Sequence, residues 1–248
     1  MSIQDKCSDA EWEARVDLAA CGRLLDYYGL TEMTNNHIST RVPGEKNHIL
    51  VNDYNYFFEE MSASNLLKID LDGKVITGPK DGLSNAAYVL HSGIYKARSD
   101  VNAVAHTHTN PGIATSANQC GLLPIFQNSF DFYQMITYHE YVGSASEFED
   151  SQVVVEDLGP HKAMIMHNHG LLTVGGGVSE AFNLMYRLDK CCRAQNMALA
   201  TGQKIHEVSP EIKAKTHNYK FNRGNFGGRR SWPGHIRRMD RLDPSYKN

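Results

Sequence analysis

A chain of 248 residues with a formal net charge of −3 and 41% hydrophobic residues is long enough for one large α/β domain with a well-buried core. The isoelectric point near 6.4 gives no global signal for nucleic acid or an anionic membrane, so the expected partner is a small-molecule substrate. The opening residues lack the basic-then-apolar pattern of a signal peptide, and no apolar run approaches the roughly twenty residues a membrane span needs. A cytoplasmic protein with neither membrane nor nucleic acid as partner is therefore predicted. Cys7, Cys21, Cys120, Cys191 and Cys192 form an odd set without a CxxC pair, and are read as reduced, mostly buried thiols.

Ser8 with Glu11 forms a capping box, and Trp12, Val16, Leu18, Ala19 and Leu24 follow at near-helical spacing until Gly29, which predicts a long amphipathic first helix. "HISTRV" and "HILVN" predict short strands around "PGEKN", and "LLKIDLDGKVIT" predicts a hairpin turning at Asp72-Gly73. Ser84 or Asn85 can cap a second helix, "AAYVLHSGIYKARS". The next run, "VNAVAHTH", is apolar enough for an inner strand. Residues 143–158 are polar and helix-prone, "KAMIMHNHGLLTVG" predicts two strands meeting near Gly170, and residues 178–200 predict a long helix before Gly202. Nothing divides residues 1–202, which are assigned to one domain. The tail, residues 203–248, is rich in Arg, Gly and Pro with little periodicity, and places Trp232, Ile236, Met239 and Leu242 among its charges. It is expected to dock on the domain or on a neighbouring subunit.

His106 and His108 stand two residues apart at the end of a predicted inner strand, so both rings point to one face and can hold one ion. His167 and His169 repeat the spacing at the end of another. An isolated pair of this kind is more often a core histidine beside a polar strand end, but two pairs can converge at one edge of a sheet. Three of the four would leave an open coordination position, as catalytic sites do, and four would close it. The spacing alone does not decide which histidine stays out.

"NHISTR", "LLKIDLDGKVI", "LHSGIYKARSDVNAVAHTHT", "GLLPIFQ", "MIMHNHGLLTVG" and "EAFNLMYRLDKCCRAQ" together resemble the class II aldolase/adducin family in order and spacing over residues 18–200. The resemblance implies a three-layer α/β/α sandwich with a central, largely antiparallel sheet, assembled as a homotetramer with sites at subunit interfaces. It also implies a divalent metal held by His106, His108 and His169. An all-histidine set favours zinc, with iron, manganese or cobalt as alternatives. His167 matches a position that is not a ligand in the family, and is expected in the pocket. Gln127, Asn128 and Tyr133 follow "GLLPI", where the family brings residues toward an adjacent subunit's site, and are candidate substrate-binding residues.

Sugar-phosphate aldolases of the family carry Ser-Ser-Glu ahead of the second helix, the glutamate moving a proton four residues before a histidine that matches His91. This chain has Asn85-Ala86-Ala87 there, and alanine cannot move a proton. The family's phosphate-binding Gly-Asn and Ser-Gly pairs are matched by Asn36-His37 and Asp53-Tyr54, where a carboxylate and two bulky rings make poor phosphate hosts. The sequence thus predicts a metal-dependent C–C lyase, a decarboxylase or retro-aldolase, acting on an unphosphorylated hydroxy- or oxo-acid. His37 is its candidate general acid or base, and Asn85 either caps the second helix or orients substrate. A non-haem iron oxygenase on the same three histidines and a non-catalytic adducin-like interaction module are the alternatives.

Overall fold

The structure, a computed structural model, describes residues 2–143, 148–221 and 227–248. One eight-stranded sheet runs in the order β4-β3-β2-β1-β5-β8-β7-β6. Its strands are β1 (His37–Arg41), β2 (His48–Val51), β3 (Leu67–Asp70), β4 (Val75–Thr77), β5 (Ala103–Thr107), β6 (Ile136–His139), β7 (Ala163–Met166) and β8 (Gly170–Gly175). Every neighbouring pair is antiparallel except β6 and β7.

The two-residue period of the inner strands sorts two cores. Ala103, Ala105, Ile165 and Leu171 face α1 (Asp9–Tyr27) and α5 (Val178–Ala200), whereas Val104, Met164, Leu172 and Val174 face α2 (Asn85–Ala97) and α4 (Phe148–Leu158). The result is the three-layer α/β/α sandwich. Leu18, Leu24 and Leu25 are fully buried on α1, each contributing about 1.5–3 kcal/mol. Among the described residues no helix is long and apolar enough to cross a membrane. Cys21, Cys191 and Cys192 are buried, Cys120 is exposed, and none of the five is bridged.

Ser8 caps α1 by accepting from Glu11 N at 3.1 Å, but the reciprocal half of the predicted box is absent. The Glu11 carboxylate takes Arg15 Nε at 3.0 Å and Lys68 Nζ at 2.8 Å instead. Two cations in a buried setting outcompete a backbone amide at a helix end. The polar stretch before α4 forms a helix only from Phe148, and residues 144–147 lie outside the described residues.

The tail departs from the expectation of little periodicity, because it forms α6 (Pro210–Phe221) and α7 (Trp232–Leu242). Trp232, Ile236 and Met239 recur at i, i+4 and i+7 and pack against the α1–α5 core. Leu242, expected to share that contact, is exposed. Trp232 Nε1 donates to Asp17 at 3.1 Å, Arg238 donates to the Tyr28 hydroxyl at 2.6 Å, and Tyr246 is wholly buried. Truncation after Gln203 is expected to uncover this face of α1 and lower the melting temperature, at about 2–4 °C for each kcal/mol lost in a chain of this size. Calorimetry of the truncated chain checks this, and an unchanged midpoint refutes it.

Candidate metal centre

Antiparallel pairing of β1 with β5 makes His37 and His106 register partners, on the sheet face that α2 and α4 cover. Their rings stack with centroids 4.7 Å apart. β5 ends at Thr107, so His108 falls just beyond the strand on which the sequence places it. It still turns back to bring its Nε2 to 2.8 Å from His106 Nε2. The third ring arrives from the β7–β8 turn. Asn168 takes a φ of 54° there, a left-handed conformation asparagine tolerates. Gly170 then lets the backbone close in, since a Cβ at that position would lie 2.6 Å from Thr107 O.

One nitrogen each from His106, His108 and His169 lies within 4.8 Å of the others. Two imidazole nitrogens facing each other at 2.8 Å need a shared positive centre, a proton or a metal ion. Histidine binds zinc at about 2.0–2.1 Å, so ligand nitrogens around one ion stand at most about 4.2 Å apart, and small ring rotations bring three nitrogens within 4.8 Å of one another to that spacing. Burial and the neighbouring imidazoles hold His106 well below the usual histidine range, and the same causes push His169 down to about 4. Both are therefore neutral near pH 7, as ligands must be.

Glu32 accepts from His108 Nδ1 at 2.9 Å, which keeps the proton on Nδ1 and directs the Nε2 lone pair into the group. Asn36 braces this arrangement, donating to Glu32 O at 3.1 Å and accepting from His108 N at 3.3 Å. His106 Nδ1 is buried without a hydrogen-bond partner, so that ring is held by stacking on His37.

His37, the candidate general acid or base, lines the cavity beside the three and is itself hydrogen-bonded. Its Nδ1 lies 2.7 Å from His91 Nε2, and His91 Nδ1 lies 2.6 Å from Ser39 Oγ, which meets the Tyr95 hydroxyl at 2.9 Å. Burial, then His91 beside it, holds His37 well below the usual range. A neutral hydrogen-bonding ring results. Of the two capping candidates, Ser84 caps α2 by accepting from Ala87 N at 3.4 Å, while Asn85 is the first helical residue.

A cavity of about 450 Å³ opens over the three imidazoles, with Ser84, Ala86, Tyr54, Tyr141, His139 and His167 in its walls. His167 lines it without joining the three, its Nδ1 lying 3.0 Å from Ser116 O and its ring stacked on Tyr138. Asn85, Gln127, Asn128 and Tyr133 do not line this chain's cavity. The last three sit at or beside the short turn Ser129–Phe132. Asp53 turns away to accept from Asn55 N at 2.9 Å, leaving Tyr54 at the wall. Glu32, Asn35, His139 and Tyr141, which sequence reasoning passed over, also line it. They sit in stretches without periodicity, and only the fold brings them together.

The family model for the class II aldolase and adducin N-terminal domain matches residues 16–196. A crystal structure of an aldolase II superfamily protein from Pseudomonas syringae superposes with a TM-score of 0.94 at 39% identity, covering 100% of both chains. L-fuculose 1-phosphate aldolase from Glaciozyma antarctica superposes with a TM-score of 0.84 at 27% identity, covering 97% of this chain and 93% of that one. Alpha-adducin of Rattus norvegicus is 38% identical over 190 residues, which is 75% of this chain but 26% of the adducin. With histidines gathered at its central strand ends and a matching sequence, the chain belongs to the class II aldolase/adducin family.

Proposed function

We propose that this protein is a metal-dependent C–C lyase, of decarboxylase or retro-aldolase type, acting on an unphosphorylated hydroxy- or oxo-acid. The observation that carries the reading is the convergence of His106, His108 and His169 on the floor of an open cavity, with Ala86 in its wall and Ala87 buried behind it where sugar-phosphate aldolases have a glutamate. Zinc suits the all-imidazole set best. A bound divalent ion would supply a Lewis acid for the carbonyl or hydroxyl oxygens of such an acid. His37, neutral and held by His91, offers a hydrogen bond to substrate, and His167 borders the same space. Gln127, Asn128 and Tyr133, remote from this chain's own cavity, suit a homotetramer in which they reach a neighbour's site. Asn85, beside the wall residues Ser84 and Ala86, remains the candidate for orienting substrate at the helix end.

The likeness to alpha-adducin favours a second reading, an interaction module that retains the histidines. A screen of the metal-loaded protein against hydroxy- and oxo-acids and L-fuculose 1-phosphate separates the two. An acid is expected to be cleaved or to lose CO₂, and the sugar phosphate to react at least about 100-fold more slowly, the lower end of what a positioned base contributes. Efficient cleavage of the sugar phosphate refutes the substrate class. Inertness toward every compound transfers the site to the interaction reading.

A further inference from the structure

We propose that His139, held by Asp157, is the proton-transfer group of this cavity and stands in for the carboxylate that the helix bearing Ala87 lacks. His139 ends β6 beside Met166 of β7, on the face that α2 and α4 cover. It is almost fully buried yet lines the cavity. Its Nδ1 lies 2.7 Å from Asp157 Oδ2 in the last turn of α4. An ionised carboxylate only accepts, so the shared proton sits on Nδ1 and the Nε2 lone pair is left free. Val154, one turn before Asp157, and Leu90 on α2 give the cavity an apolar wall, which strengthens a charge relay between ring and carboxylate.

The cavity's carboxylate and the imidazoles outside the ligand set are, apart from His139, committed elsewhere. Glu32 is bonded to His108, and His37 to His91. His167 leans on Ser116 O and stacks on Tyr138, with exposed Glu140 at 3.7 Å from its Nε2. His139 is not among the three rings whose nitrogens converge, although it lines the same cavity as they do. It is therefore near the reacting atoms and outside the ligand set.

The chemistry balances as a reversible proton transfer. With a 2-oxo acid, His139 Nε2 accepts the proton from C3, the C–H electron pair becomes the C2–C3 double bond, and the carbonyl π pair moves onto oxygen. Reversal returns the proton, or a deuteron in D₂O, from the imidazolium. In decarboxylation of a 3-oxo acid the C–C pair becomes the enolate double bond as CO₂ leaves, and His139, having taken a proton from water onto Nε2, delivers it to the carbon that has lost CO₂.

This inference rests on the lyase reading of the site, and two measurements keep their failures apart. The first needs neither metal nor turnover: ring-nitrogen NMR of the ¹⁵N-histidine-labelled protein, metal-free and metal-loaded. His139 is expected as the Nδ1–H tautomer with an uncoordinated Nε2 in both forms, and Asp157→Asn to erase that preference. A protonated Nε2 in the wild type, or one that the metal occupies, overturns the proposal. The second follows deuterium uptake at C3 of 2-oxobutyrate in D₂O by the metal-loaded protein. His139→Gln is expected to lose about 10²- to 10⁴-fold and Asp157→Asn about 10- to 100-fold, both with metal content unchanged. Exchange undiminished in His139→Gln sinks the base assignment and leaves the lyase reading standing. No exchange by a fully metal-loaded wild type that turns over an acid in the screen sinks the base assignment alone, and no exchange together with inertness toward every acid sinks both. If His139→Gln fails to fold, the NMR of the wild type and of Asp157→Asn still decides.

Discussion

His106→Ala is expected to leave the purified protein essentially free of metal, and His108→Ala and His169→Ala to do the same. Each removes one of the three imidazoles whose nitrogens, among the described residues, meet within 4.8 Å, and two ligands cannot hold a divalent ion against ordinary chelators. His167→Ala is expected to keep most of its occupancy, because that ring is spent on Ser116 O and Tyr138. Glu32→Gln tests the intermediate case. It keeps the side chain's size but weakens the partner that fixes the His108 tautomer at 2.9 Å, and a loss of about 10- to 100-fold in affinity is expected. Elemental analysis and chelator competition on all five variants give the ranking. Metal retained in His106→Ala would falsify the site, and equal loss in His167→Ala would put a fourth ligand in it.

The order of strands and helices was legible because the chain punctuates itself. The Ser8 cap, the Asp72-Gly73 turn and the Gly202 stop each lie at an element boundary or within two residues of one. The i, i+2 argument found His106 and His108 although His108 lies past the strand end, since the turn that follows keeps its ring on the same side. The same argument was less apt for His167 and His169, where the left-handed Asn168 sends the two rings to different neighbours. Glu32, 76 residues from His108, and Asp157, 18 residues from His139, carry no local signature at all. Carboxylates that orient histidines are chosen by tertiary geometry, and a single sequence has no term for it. The tail misled in a different way: its Arg and Gly content hid the helical stripe of Trp232, Ile236 and Met239.

The contrast with L-fuculose 1-phosphate aldolase is informative because the backbone is so alike, at a TM-score of 0.84, while the first turn of α2 brings Ala86 to the cavity wall and buries Ala87. A shared scaffold does not fix the chemistry. What the scaffold supplies is a rigid set of strand ends in the middle of the sheet, where histidines from β1, the end of β5 and the β7–β8 turn meet. The proton-transfer group proposed to accompany them stands at the end of β6 and is oriented by a carboxylate of α4.

Arg15→Met is expected to destabilise the protein by about 3–5 kcal/mol, the usual cost of breaking a buried ion pair. Arg15 is fully buried on α1 and donates to Glu11 at 3.0 Å, to the carbonyls of Ala63 and Leu66 at 3.2 and 3.0 Å, and to Thr77 Oγ1 at 3.2 Å. It thereby ties the helix to the edge strand β4 and to the segment on which the tail ends, since Ala63 N donates to Tyr246 O at 2.9 Å. Methionine matches the stem but leaves two buried carbonyls without their donors, and leaves Glu11 with Lys68 as its remaining cation. Against a total stability of about 5–15 kcal/mol the loss is severe. The double variant Glu11→Leu with Arg15→Met should recover part of it, because no buried charge is then unpaired. None of these partners lines the cavity, so the folded single variant should bind metal as the wild type does. Urea unfolding of the metal-loaded proteins, with metal content measured before denaturation, separates the two effects. A midpoint within error of wild type for Arg15→Met would show that the cluster contributes little, and lost metal in its folded state would show that α1 positions the histidines after all.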